Sequence, residues 1–435
     1  MIIIDSALEK RENEGNPVRV GVIGAGYMGR GLVLQILSSF QTGMRMSALY
    51  NRTGAKARQA YEQAGITDYV ETDSLAELEN AISKGQHVIC DDPILLAQAD
   101  NIDVIVEATG EVEFGAQVVL AAISHGKHVI LMNAELDAVC GPLLKQYADR
   151  AGVVISNVDG DQPGVTMNLY RWVKQLGYEP RLAGNMKGLQ DRYRNPTTQK
   201  GFAEQHKQGV KMITSFADGT KISMEMAVIA NATGFGVDIR GMHGPSCEHV
   251  VEGLELFSEK QLSRGSIDYL LGAEPGPGVF VIGYNENPIL RQYAHYLKMG
   301  TGPYYMFYVP YHLPHLETPM TIARAALFHD AATQPIGSPV VEVLAAAKKP
   351  LKAGSVLDGI GGYDAYGVAE NADIFREENL IPMSLIEGCR LKRDLKKDAV
   401  IRRADVELPN DRLIDKLRNE QDLLFGGSQK QQRAS

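Results

Sequence analysis

Two carboxylates stand two residues apart in the turn NVDGDQPGVT, at Asp159 and Asp161. At the end of a strand such a pair can hold a divalent metal ion or exchange a proton. It can equally cap the helix that follows, because Asp is favoured near helix N-termini. A lysine, Lys187, lies in the Gly-flanked segment RLAGNMKGLQDRYRN. An ammonium group there can stabilise the alkoxide that develops when a carbonyl is reduced, and a solvated loop lysine is the plain alternative. Glu225 interrupts the apolar run KISMEMAVIANATG, read here as a strand, and needs a partner if it is buried. Asn133 ends the strand-like VILMNAEL, where it can orient a ligand or cap the strand end. Polar loop residues add His243 in GMHGP, Tyr304, Tyr305 and Tyr311 in GPYYMFYVPYHL, and His312 with His315 across a proline. The tyrosines can donate to substrate oxygens, and the two histidines offer a minor metal reading. Lys211 and Arg324 would meet a phosphate on the substrate. Packing or surface roles compete at each of these positions. No Ser/His/Asp order, P-loop or HExxH pattern points to a hydrolase or kinase.

A different pattern names a ligand. GVIGAGYMGRG places G-x-G-x-x-G at Gly24, Gly26 and Gly29, after a strand and at the start of a helix that includes Tyr27 and Met28. In that context the glycines permit a tight turn, a close backbone approach to a pyrophosphate, and close helix–strand packing, with the anion on the helix N-terminus. The second strand ends in Asn51, Arg52 and Thr53, where NAD-selective sites place Asp or Glu. Arg52 can pair with a 2′-phosphate and Thr53 can donate a hydroxyl, so the expected cofactor is NADPH. In DVIVEATGEVEFG, Ala108, Thr109 and Gly110 are expected beside the nicotinamide ribose. Glu107 is read either as part of that site or as a helix cap.

The elements that position these groups alternate from Val18 onward as in a doubly wound parallel sheet. VRVGVI, RMSALYN, NIDVIVEAT, KHVILMN and VVISN read as strands, with one long helical stretch between the second and third. Residues 1–157 are therefore expected to be an NADP-binding Rossmann domain. Residues 158–336 form a mixed α+β catalytic and dimerisation region, with KMITSFADG and TKISMEMAVIAN read as strands and TPMTIARAALFHD as a closing helix. Residues 337–410 read as a small all-β module, 411–425 as one amphipathic helix, and 426–435 as a disordered polar tail.

Composition narrows the class. The chain has 435 residues, more than one ordinary core accommodates, with 44 Lys plus Arg against 53 Asp plus Glu and a net charge of −9. That balance argues against a nucleic-acid partner. Four cysteines without CxxC or Cys/His spacing argue against a disulfide scaffold or a zinc site. The amino terminus lacks a signal-peptide h-region, and no apolar run reaches membrane-spanning length. A cytoplasmic enzyme, dimeric or of higher order, is expected.

VRVGVIGAGYMGRGL, NIDVIVEATGE and HGKHVILMNAEL together resemble the homoserine dehydrogenase-like oxidoreductases. AKKPLKAGSVLDGIGG and RLKRDLKKDAVIRRADVEL look like a SAF (clip) domain, a small fold also found beside sialic acid synthases. With ANATG, GMHGP, GPYYMFYVPYHL and LETPMTIARAAL, the whole of about residues 15–425 closely resembles the deoxyxylulose phosphate reductoisomerase-like (DRL) enzymes. The resemblance implies NADPH-dependent reductoisomerisation of 1-deoxy-D-xylulose 5-phosphate to 2-C-methyl-D-erythritol 4-phosphate, a step of isoprenoid biosynthesis, helped by Mg2+ or Mn2+. Reduction of another sugar or polyol carbonyl is the runner-up, and a non-catalytic NADP-binding assembly protein the reading from another class. One departure matters: homoserine dehydrogenases carry Asn-Lys where this chain has Asn133-Ala134, which makes homoserine oxidation a minor reading.

Overall fold

The computed structural model describes residues 3–426, which form two compact units. The first unit comprises the chain up to Asp161 together with Leu313–Gln334; the second comprises Gln162–His312 and the chain from Pro335 onward.

The first unit is built on seven parallel strands: β1 (Val18–Ile23), β2 (Met44–Tyr50), β3 (Tyr69–Thr72), β4 (His87–Cys90), β5 (Val104–Glu107), β6 (His128–Leu131) and β7 (Ile155–Asn157). Their order is β3-β4-β2-β1-β5-β6-β7. Without the added edge strand β3 this is the 3-2-1-4-5-6 order of dinucleotide-binding sheets, so the doubly wound expectation holds. The long helical stretch read after β2 is instead three helices, Gly54–Gln63, Leu75–Ser83 and Pro93–Gln98, separated by β3 and β4. β3 (YVET) buries only Thr72 and so lacks an apolar run, and the run in β4 (HVIC) is three residues between helical flanks, which is why the pattern hid them. A further helix, Ile4–Asn13, precedes β1 and buries Ile4 and Leu8.

The segment TPMTIARAALFHD was expected to close the central region. It lies in the helix Pro314–Phe328, which packs within the first unit and buries Ile322, Ala323 and Ala325 in the same core as Val20, Leu32 and Ile36. Gly31 makes that packing possible: a Cβ there would lie 2.6 Å from the His315 ring.

The second unit carries the sheet β11-β10-β8-β9, with β8 (Glu179–Lys187), β9 (Ser266–Leu271), β10 (Val279–Tyr284) and β11 (Tyr304–Val309). β8 and β9 run parallel and the other pairs antiparallel. The helix Gln162–Gln175 packs on β8, β10 and β11, and Val250, Phe257 and Leu262 cluster with Leu182, Leu270, Phe280 and Ile282. KMITSFADG and TKISMEMAVIAN, expected as strands, are the helices Val210–Ala217 and Thr220–Thr233. The second is buried from Thr220 to Ala232. A helix apolar on every side has no 3.6-residue stripe, so its sequence cannot be told from a buried strand. The intervening Asp-Gly serves a helix-to-helix link, with Gly219 at φ 88°.

Beyond Pro335, β12 (Val341–Ala347) pairs antiparallel with β13 (Ala365–Asn371), and β14 (Arg390–Leu391) with β15 (Val406–Glu407). The helix Leu413–Gly426 follows, as expected; the expected disordered tail, from residue 427 on, lies outside the described residues. No described helix is long and apolar enough to cross a membrane.

Two buried acids lead to predictions. Arg418 of the last helix, only 1% exposed, donates through both terminal nitrogens to Glu342 of β12 and through Nε to Asp422 at 3.0 Å. Arg418→Ala strands the Glu342 carboxylate, so denaturant titration should show a loss of about 3–5 kcal/mol. The double change Arg418→Met with Glu342→Gln should recover most of it. The other acid is Asp137, in the helix Ala134–Ala151, where it accepts from Asn157 Nδ2 and has a second oxygen without a partner. Burial pushes its carboxyl up to about 7. The folded protein then holds a proton that the unfolded chain releases near pH 4, so the wild type loses stability as pH rises from 4 to 7, by about 1.4 kcal/mol per pH unit at most. Asp137→Asn should remove that slope and be the more stable form above pH 7; equal slopes in the two proteins would refute the assignment.

Candidate active site

The glycine motif has the geometry its spacing requires. Gly24 sits at φ +113°, and a Cβ on it would lie 2.7 Å from the Ala108 carbonyl oxygen. A Cβ on Gly29 would lie 1.9 Å from the Gly24 oxygen, whereas one on Gly26 would meet nothing within 4 Å. Gly24 and Gly29 therefore allow contact inside the protein, and Gly26 leaves open space for a ligand. Gly26 caps the helix Tyr27–Ser39, which has neither a capping side chain nor an acidic residue in its first turn. The first N–H groups and the helix dipole are thus left to an anion. These residues fit a dinucleotide pyrophosphate, and the nearby Tyr27 is half exposed.

At the end of β2, Asn51 does something the sequence did not reveal. Its Oδ1 accepts from Ala25 N at 2.9 Å and its Nδ2 donates to the Thr53 carbonyl at 2.9 Å, tying the glycine turn to the loop after β2. Arg52 is exposed and, among the described residues, makes no hydrogen bond or ion pair. Thr53 is the N-cap of the helix Gly54–Gln63, and its side chain makes no capping bond.

Glu107, at the end of β5, is wholly buried, and burial pushes its carboxyl upward. It accepts from Thr109 N at 2.8 Å, from the Thr109 hydroxyl, and from Asn133 Nδ2 at 2.8 Å. The next helix, Val112–Ser124, has Glu111 as its N-cap, so Glu107 is not a helix cap. Gly110 completes the turn at φ 72°. Asn133 caps the helix Ala134–Ala151 by accepting from Leu136 N at 3.1 Å, and its other amide proton goes to the Glu111 carbonyl at 3.2 Å. With both amide protons engaged, Asn133 has no donor left over, and the second lone pair of Oδ1 is its remaining means of meeting a ligand.

Around β7, the Asp159 N–H donates to Thr321 Oγ1 at 2.7 Å and its carboxylate pairs with Arg324. Arg324 also holds Asp330 at 2.6 Å. Arg324 was expected to meet a substrate phosphate; its guanidinium is instead committed to two carboxylates. Asp161 immediately precedes the helix Gln162–Gln175. Glu317, which the sequence reading passed over, is pushed up to about 7 by burial and by the Asp159 charge. Among the described residues no group of three or more His, Cys, Asp or Glu side chains is gathered to hold a metal.

The second unit brings two of the sequence candidates together. Lys187 ends β8, and its Nζ lies 3.0 Å from Glu225 Oε2 and donates to Gln162 Oε1. Asn185 Nδ2 reaches the same Glu225 oxygen at 3.3 Å, and the Thr166 hydroxyl lies 3.4 Å from Asn185 Oδ1. The Glu225 side chain is 4% exposed and that of Lys187 18%. Glu225 thus has the partner its burial demands, and it projects from a helix rather than the expected strand. Gln162 and Asn185 were missed; a polar pair in apolar surroundings was their one signal.

The remaining candidates take up separate places. Lys211 Nζ donates to the Asp358 carbonyl at 2.7 Å and lies 3.8 Å from Glu387, with its side chain half exposed. His243 Nε2 is 3.0 Å from Asp238. Tyr304 packs on Tyr284 with ring centroids 5.1 Å apart, and Tyr305 is buried against Tyr178. His312 Nδ1 lies 3.3 Å from the Pro277 carbonyl.

Comparison with known proteins bears on both units. Residues 24–156 match the family model described as the NAD binding domain of homoserine dehydrogenase, and residues 160–318 that of the catalytic domain of Oxidoreductase DRL. The homoserine dehydrogenase of Neisseria gonorrhoeae is 25% identical over 146 residues, 32% of this chain and 28% of that protein. The chain therefore spans under a third of that curated relative. Among solved structures, scyllo-inositol dehydrogenase from Lactobacillus casei with bound NAD(H) and scyllo-inositol is 14% identical, with TM-score 0.38 over 68% of this chain and 76% of that one. A probable dehydrogenase from Thermotoga maritima is 13% identical, with TM-score 0.37 over 62% and 73%. The two family matches support an NAD(P)-dependent oxidoreductase whose dinucleotide-binding part is homoserine dehydrogenase-like.

Proposed function

We propose that the protein reduces a small polar carbonyl compound with NADPH, and that Lys187 serves the carbonyl oxygen. The observation that carries this reading is the pairing of Lys187 with Glu225 at 3.0 Å, with Gln162 as second acceptor. An ammonium has three N–H donors. Two are fixed by these acceptors, and the third is left for a substrate oxygen. The nicotinamide, when bound, supplies the hydride. As the carbonyl accepts it, charge grows on the oxygen; the remaining Lys187 N–H donates to that oxygen and its proton completes the alcohol. Glu225 holds the ammonium in place, and the partly exposed Nζ regains its proton from water.

The specific substrate proposed is 1-deoxy-D-xylulose 5-phosphate, supported by the match of residues 160–318 to the DRL catalytic domain. NADPH oxidation should be followed with this ketose phosphate, with and without Mg2+ or Mn2+, beside other keto-sugars and polyol-derived ketones. Turnover of another ketone alone would move the substrate and keep the class; tight NADPH binding with no turnover of any carbonyl would leave a non-catalytic binding protein.

Two substitutions test the parts. Lys187→Met should lower kcat by about 10³-fold or more while leaving NADPH affinity within about twofold; a change confined to KM would reject the lysine's role at the reacting oxygen. Arg52→Glu should weaken NADPH by about 10–100-fold, the worth of a charge-assisted phosphate contact, with little change for NADH. Unaltered NADPH affinity would overturn the 2′-phosphate argument.

A further inference from the structure

A second arginine stands at the same end of β2. Arg58 lies one helical turn after Gly54, and its Nη1 and Nη2 are 3.7 and 3.8 Å from where a Gly54 Cβ would be. Its guanidinium therefore lies against the first turn of the helix Gly54–Gln63, two residues beyond Arg52. That turn contains no acidic residue. Arg58 is not idle: Nε donates to Glu71 Oε1 at 2.8 Å and Nη2 to Glu71 Oε2 at 2.7 Å, a fork-to-fork pair reaching across to β3. The two side chains are 44% and 36% exposed. An ion pair this open to water contributes little on its own, so a better anion can displace its carboxylate.

A 2′-phosphate is such an anion. It carries more charge than a carboxylate and presents three acceptor oxygens to a planar fork. The carboxylate that would favour NAD is missing from the end of β2, where Asn51 is tied to Ala25 and Thr53. Glu71, the acid nearest in role, is occupied by Arg58. We infer that Arg58 is a second ligand of the adenosine 2′-phosphate and that Glu71 competes with the phosphate for it, so that the pair sets the margin between NADPH and NADH. This inference rests on the NADPH reading above and adds two residues to it.

The experiment is direct binding of NADPH and of NADH, by cofactor fluorescence and calorimetry at two salt concentrations, to the full-length wild type, Arg58→Met and Glu71→Gln. Arg58→Met should raise the NADPH Kd about tenfold and leave NADH within about twofold. Glu71→Gln should lower the NADPH Kd by about threefold to tenfold, again without effect on NADH, because the competitor is gone. Unchanged NADPH affinity in Arg58→Met, or equal weakening of both cofactors, overturns the inference and leaves Arg58 as a pin between the helix and β3. Weaker NADPH binding in Glu71→Gln overturns the competition, since Glu71 would then be orienting Arg58. Arg52→Glu separates the levels: if it too leaves NADPH untouched, the NADPH reading fails, whereas an effect at Arg52 with none at Arg58 removes only this inference.

Discussion

A charge removed from water must meet an opposite charge or several donors, and the placement of polar groups in this protein follows that constraint. Glu107 is surrounded by donors from Thr109 and Asn133. Asp218 holds Lys348 at 2.7 Å, and Lys348 also donates to the Arg194 and Gly362 carbonyls at 2.7 Å each. Glu342 holds Arg418, and Glu225 holds Lys187. The same constraint sorts the candidates for chemistry. A side chain whose donors are all taken inside the fold is a brace, as Asn133 is. One with a donor left over can still meet a ligand, and Lys187 and Arg52 are of that kind.

The dinucleotide cradle depends on a second constraint, the distance of closest approach between backbone segments. At Gly24 and Gly29 there is no room for a Cβ against the Ala108 and Gly24 carbonyls, so the turn closes only with glycine. Closure aims the N–H groups of the helix Tyr27–Ser39 toward the open side at Gly26, and Asn51 then clamps the turn to the neighbouring loop. Sequence spacing and electrostatics meet there: the glycines set the shape, and the shape leaves an uncompensated helix end for the pyrophosphate.

How much could be read from the sequence follows from these physical terms. The glycine motif, the strands β1, β2, β5, β6 and β7 and the last helix are legible because each carries a buried apolar run, an amphipathic stripe or a special backbone conformation. β3, with only Thr72 buried, has no such run, and β4 offers only Val88, Ile89 and Cys90 between two helical stretches. The helix Thr220–Thr233 is buried on all sides, which erases the stripe that would identify it. Lys187 and Glu225 could be singled out as charges in apolar or Gly-rich surroundings, but not as partners, because they are 38 residues apart and meet only through packing. Arg324 looked free in the sequence partly for the same reason: Asp159 is 165 residues away, although Asp330 is only six residues on.

The segment VILMNAEL shows how a brace and a missing charge together direct the chemistry elsewhere. Homoserine dehydrogenases, which the dinucleotide-binding part resembles, carry a lysine beside this asparagine; here the position is Ala134, wholly buried as the first residue of the helix Ala134–Ala151. Asn133 caps that helix and braces Glu107, so it too offers no donor. Neither residue can then polarise a carbonyl, and a hydride acceptor needs a proton source from another element. Lys187 is the residue proposed for that need: Glu225 and Gln162 hold its position, and one of its three N–H groups is uncommitted. On the proposed reading, the cation that serves the carbonyl oxygen is the lysine at the end of β8 rather than a residue beside Asn133.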